Sequence, residues 1–117
     1  MDFDAAMAAH ADWKVNLRVA LVGKTTVDAE KACSDRNCAL GRWLHGDARS
    51  THGSDRNYLQ CVEAHREFHE AAGEVARSIN NRDYERAEKM LEGGSRFSDA
   101  SLKVAVAVRR MKACVPA

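Results

Sequence analysis

The chain has 117 residues, with 18 Lys plus Arg against 17 Asp plus Glu and 30% charged side chains. That length suits one compact domain, residues 1–117, and is too short for two independent cores. Near-neutrality leaves no net field to recruit nucleic acid or an anionic membrane surface. No stretch approaches the roughly 20 apolar residues that span a bilayer. The start, with Asp2, Asp4 and Asp12 among alanines, lacks the basic head and apolar run of a signal peptide. The expectation is therefore a cytoplasmic chain with no membrane span and no nucleic-acid partner. Abundant alanine, few aromatics and a single proline, Pro116, favour helices over strands. In that compartment Cys33, Cys38, Cys61 and Cys114 read as thiols or metal ligands rather than as disulfides.

From Phe3 to about Val22 the positions Phe3, Met7, His10, Trp13, Leu17, Ala20 and Leu21 recur in steps of three and four, which predicts an amphipathic helix. Lys24 to Asn37 is polar and reads as a connection or weak helix. A short helix then begins near Cys38, with Leu40, Trp43 and Leu44 on one face and Gly46 as its stop. Asp47 to Asp55 reads as a loop. From about Arg56 to Ile79 the stripe Tyr58, Cys61, Val62, His65, Phe68, His69, Ala72, Val75, Ala76 and Ile79 predicts a second long helix. After a turn at Asn80 to Asp83, the positions Tyr84, Ala87, Met90, Leu91, Phe97, Leu102, Ala105, Val108 and Met111 give a third long pattern, which Gly93-Gly94 bends or breaks. The fold expected is all-α: an antiparallel four-helix bundle in which one short helix carries a cysteine.

His65 and His69 are four residues apart on one helix, so both imidazoles leave the same face within reach of one ion. The plain alternative is a pair of histidines with ordinary hydrogen-bond partners. Both lie on the apolar stripe, however, where each buried imidazole needs a partner and a metal would supply one to both. His10 stands between Met7 and Trp13, where a bundle core prefers leucine. A lone buried histidine is ordinarily a satisfied core residue, but three inward histidines point to zinc, which takes four ligands. Cys38, at a helix N-terminus that favours a thiolate, is the expected fourth. Cys61, four residues before His65, is the competing thiol.

Three segments carry a resemblance: His10-Ala11-Asp12-Trp13-Lys14, Cys38-Ala39-Leu40-Gly41-Arg42-Trp43-Leu44, and Ala64-His65-Arg66-Glu67-Phe68-His69. In that order they resemble the chemoreceptor zinc-binding (CZB) domain family, over nearly the whole chain. The resemblance implies a helical bundle holding Zn2+ with His10, Cys38, His65 and His69. Such domains are usually attached to bacterial chemoreceptors or diguanylate cyclases and are often homodimeric. No signalling hairpin or cyclase domain accompanies this chain, so a free-standing member or an excised piece is expected. The family has been linked to sensing zinc and reactive chlorine oxidants such as hypochlorous acid.

A closed three-histidine, one-cysteine tetrahedron leaves no open position for catalysis, so a sensory domain rather than an enzyme is expected. Asp12 or Glu67 are candidate acceptors for the outer imidazole N–H groups. Oxidation of the single thiolate would weaken its hold on zinc and free the short helix. Two rivals differ in class: a metal-free dimerisation or interaction bundle, and a hemerythrin-like di-iron site, which needs more histidines and bridging carboxylates. A haem protein is disfavoured because no Cys-x-x-Cys-His motif is present.

Overall fold

A computed structural model of the chain describes residues 1–115; Pro116 lies outside them. Seven helices and no strand occur among the described residues: α1 (Phe3–Gly23), α2 (Ala29–Cys33), α3 (Ala39–His45), α4 (Asp47–His52), α5 (Arg56–Asn80), α6 (Tyr84–Met90) and α7 (Arg96–Cys114). Starts are set by side-chain caps, which satisfy amide groups that a first turn leaves unpaired. Asp2 accepts from Ala5 N, Asp28 from Lys31 N, Asp55 from Asn57 N, Asp83 from Arg86 N and Ser95 from Ser98 N. Helix α1 stops where Lys24 turns left-handed at φ 54°, its amide bonding back to Ala20 and Leu21.

Cross-helix pairings give the directions. Lys112 Nζ lies 2.8 Å from Asp4 Oδ1 and Arg18 donates to Leu91 O at 3.2 Å, so α7 runs opposite to α1. Arg96 meets Glu70 and Glu74 while Arg110 meets Gln60, so α7 also runs opposite to α5. Between α1 and α5 the chain descends along α5. Val27 pairs with Asn80, Ala32 with His69, Cys38 with His65, and Leu44 with Tyr58. The fourth position beside the three long helices is thus a broken column made of α2 and α3, rather than one short helix.

The 24–37 segment, read as a connection or weak helix, holds the short α2, and an expectation is corrected at Asp47 to Asp55, which was read as a loop and contains α4. Both helices are too short to show a periodic stripe, and α4 buries only Ala48. The third long pattern is two helices, parted at residues 91–95 around Gly93 and Gly94, the latter at φ 82°. That break resets the helical phase. Val104, Ala107, Val108 and Met111 face the core of α7, whereas Leu102 is 66% exposed and Ala105 only partly buried.

The core is drawn mainly from α1, α5 and α7, and Leu17, Phe68, Val75, Leu91, Phe97 and Met111 are almost fully enclosed. Helix α2 reaches α5 at Gly73, where an added Cβ would sit 2.7 Å from Cys33 Cβ and 3.1 Å from its Cα. Neither atom can swing aside. A Gly→Ala change inside a helix ordinarily gains up to about 1 kcal/mol from propensity. Here the steric term should reverse that sign: Gly73→Ala is expected to lower the thermal midpoint, and Gly93→Ala, with nothing within 4 Å, is not. Parallel thermal melts check this, and a stabilised Gly73→Ala protein would contradict the close approach of α2.

Candidate metal centre

His10 from α1, His65 and His69 from α5, and Cys38 at the start of α3 converge in the bundle interior. Their ligand atoms all lie within 4.8 Å of one another. The helix spacing that puts His65 and His69 on one face leaves their ring centroids 4.6 Å apart and nearly perpendicular. His10 faces both, at 4.9 Å from His65 and 5.4 Å from His69. Cys38 Sγ lies 3.2 Å from His65 Nε2 and 3.8 Å from His69 Nε2. Those separations suit the edges of a tetrahedral zinc site, roughly 3.3–3.8 Å for Zn–N and Zn–S bonds of ordinary length.

The outer ring nitrogens fix which inner nitrogen is free. His10 Nδ1–H donates to Ala6 O at 2.6 Å and His69 Nδ1–H donates to Ala32 O at 2.8 Å. Each bond leaves a lone pair on Nε2 directed at the common centre. His10 Nε2 has no protein partner although it is buried, and neither has His65 Nδ1. A buried polar atom without a partner costs about 1–3 kcal/mol. A cation among the Nε2 atoms and Sγ would satisfy His10, so the donor set fits zinc. The expected acceptors Asp12 and Glu67 do not take these bonds. Two backbone carbonyls do, and nothing in side-chain identity announces them.

Cys38 is the N-cap residue of α3, and its sulfur accepts from Gly41 N at 3.3 Å. The segment before it crosses the first turn of α3 so closely that a Cβ on Gly41 would lie 1.9 Å from Asp35 O. Gly41 therefore permits the crossing that carries Cys38 to the histidines. The remaining candidates stay apart from the group. Cys61 is buried, its thiol pushed up to about 12 by burial, and Cys33 and Cys114 are exposed. His45 Nε2 lies 3.5 Å from Asp35 Oδ2 without hydrogen-bond geometry, and His52 packs near Trp43. No carboxylate belongs to the four-residue group, which removes the bridging ligands a di-iron site requires.

Burial holds all three histidines below their ordinary value of 6.5, His65 at about 2 with further lowering from its histidine neighbours. Cys38 moves the other way. Burial raises its thiol above 9.0, outweighing the backbone N–H groups of Gly41 and Leu40 and the charge of Arg42, all of which favour the thiolate. The helix N-terminus thus acts in the expected direction without prevailing, and the metal-free site holds neutral imidazoles and a thiol.

The pH dependence of metal-free stability follows. A histidine depressed in the folded state contributes stability above 6.5, lost as pH falls because the unfolded chain binds the proton first. A thiol raised in the folded state contributes stability below 9.0, lost as pH rises. In chelator, the thermal midpoint should therefore be level between about pH 7 and 8.5, and should fall on both sides. The acid limb should flatten in His65→Leu. A midpoint that rises on acidification from pH 7 to 5.5 would contradict neutral buried imidazoles.

Comparison with protein families matches residues 10–76 to the chemoreceptor zinc-binding domain, a span holding all four clustered residues and more than half of the chain. Comparison with curated proteins and with solved structures finds no match. The chain belongs to the chemoreceptor zinc-binding domain family.

Proposed function

We propose that His10, Cys38, His65 and His69 bind one Zn2+ and that the domain is a non-enzymatic sensor whose responsive element is the Cys38 thiolate. The observation that carries this is the convergence of the four donors within 4.8 Å, with two imidazoles held by backbone carbonyls in the tautomer that presents Nε2. Bound there, zinc supplies a cross-link between α1, α3 and α5 and contributes directly to folding free energy. Four protein donors complete a tetrahedron, so no position is left for a substrate or an activated water.

Cys38 is the single anionic donor and the only one that is readily oxidised. A two-electron oxidant such as hypochlorous acid converts its thiolate to a sulfenic acid, releasing chloride. The oxidised sulfur is a poorer donor both to zinc and as the cap of α3. Helix α3 then loses two anchors at once and becomes the two-state element. Its Trp43 packs edge-on against Phe3 of α1 at 5.3 Å, so movement of α3 alters the indole environment. The zinc-bound and zinc-free states would bias a chemoreceptor or diguanylate cyclase in cis or trans, within chemotaxis or cyclic-di-GMP signalling. A second copy of the chain is the expected neighbour. The exposed row Val15, Val19 and Val22 on α1 supports such pairing, and sedimentation at rising concentration would show a monomer if it is wrong.

Elemental mass spectrometry on tag-free protein should find one zinc per chain, diminished at least tenfold in Cys38→Ala and His69→Ala and unchanged in Cys61→Ala. No zinc in the native chain after zinc is supplied, with an unaltered melt in chelator, would leave a metal-free interaction bundle. Equimolar hypochlorous acid should release zinc and shift Trp43 emission together. Zinc retained with emission unchanged would overturn the oxidant response, while zinc sensing through the same four ligands would stand.

A further inference from the structure

A cavity of about 190 Å³ opens between α1 and α7, with His10 of α1 and Phe68 of α5 in its lining and no residue of α3. It exists because the facing positions are small: Ala11 on α1, and Ser101 and Ala105 on α7. Its inner walls are Met7, Phe68, Val104 and Val108, and the His10 imidazole, perpendicular to Phe68 with centroids 5.2 Å apart, forms part of the lining. Lys14 and Ser101 are the polar side chains at its edge. Lys14 has no ion-pair partner among the described residues, and Ser101 is half-buried without a side-chain hydrogen bond.

An apolar cavity of about 150 Å³ holds a benzene ring, so this cleft has room for one ring. Two aromatic rings and a thioether in the lining favour an aromatic occupant over an aliphatic chain, because ring–ring and sulfur–ring contacts add to area burial. An unpaired ammonium and a free hydroxyl on the same lining favour a carboxylate there. We propose that the α1–α7 cavity is a binding site for a small aromatic carboxylate, its ring against Met7, Phe68, Val104 and Val108 and its carboxylate on Lys14 and Ser101. His10 is a wall of this cavity and a member of the metal cluster. The occupant and the metal would therefore share one imidazole, and through it each would change the affinity for the other by the same factor.

The site itself does not depend on the metal, so the test separates the two. Benzoate is titrated into zinc-loaded and chelator-treated protein by calorimetry and by NMR, with benzyl alcohol as the uncharged probe and hexanoate as the aliphatic one. Saturable one-site binding of benzoate is expected, about tenfold tighter than benzyl alcohol at low salt and tighter than hexanoate. Lys14→Ala should reduce benzoate to the level of benzyl alcohol. Ala105→Leu, which fills the cavity, should abolish both while keeping helicity and zinc content. No saturable benzoate binding in either form of the protein, binding that survives Ala105→Leu, or equal binding in Lys14→Ala would overturn the proposal. Preference for hexanoate would overturn its aromatic class. Benzoate binding of equal strength with and without zinc would keep the site and overturn the coupling through His10.

Discussion

The constraint on which this structure turns is the burial of three imidazoles and a thiol at one point of a small helical core. None of them is comfortable there as a charged group, and together they cannot satisfy one another. His65 and His69 each present Nε2 to the same sulfur, and His10 Nε2 is left with no protein partner. An apolar set of the same volume would pack with less penalty, since unpaired polar atoms forfeit their hydration. The arrangement makes physical sense as a site for a cation that accepts all four donors at once. The bonds outside the cluster agree. The carbonyls of Ala6 and Ala32 fix the tautomers, and α2 contributes the second of them by lying tightly on Gly73 of α5.

The cysteine arrives by a different route from the histidines. They ride on long helices whose positions are set by extensive burial, whereas Cys38 sits at the junction of a tight crossing and a helix of seven residues. Helix α3 is held by Leu40 and Leu44 in the core, by Tyr58 donating to Leu44 O, and by Phe3 against Trp43. Such a short helix has little stability of its own, because nucleation is costly and few bonds follow it. Three ligands are therefore on long, well-buried helices, and the fourth sits at the start of a short helix with little stability of its own, as the switching role proposed for it would require.

What could be read in the sequence divides along physical lines. The first two long amphipathic patterns were legible through Leu17, and through Tyr58 to Ile79, because helical spacing keeps one face apolar over many turns. The cluster was legible because histidine in place of leucine within such a stripe is costly without a partner, and His10, His65 and His69 all occupy stripe positions. Helix α4 was not, and α2 was legible only as a connection or weak helix, since five or six residues give no period. Leu102 was assigned to the core of α7 and Val104 was missed, because the break around Gly93 and Gly94 restarts the phase and the earlier register no longer applies. The acceptors for His10 and His69 were sought among carboxylates and are backbone carbonyls, which every residue carries and which no side-chain pattern distinguishes. The Gly41 signal was visible as a motif residue, but its reason, the passage of Asp35 O across α3, appears only in three dimensions.

Neutral carbonyls rather than carboxylates around the imidazoles have a consequence for the thiolate. A carboxylate partner would make each imidazole more basic and spread negative charge into the site. With carbonyls instead, a zinc ion bound by three neutral imidazoles and one thiolate leaves a net charge of about +1 in a buried place. Cys38 then carries all of the compensating negative charge, and the Gly41 N–H on its sulfur draws further on the same electron density. Loss of that one anion by oxidation would raise the uncompensated charge to about +2 in a low-dielectric interior, where the cost of unpaired charge is greatest. The same sulfur caps α3, so the charge imbalance and the loss of the helix cap fall on one atom. In the proposed oxidant response a chemical change at Sγ would thereby be tied to a mechanical one without any intermediary residue.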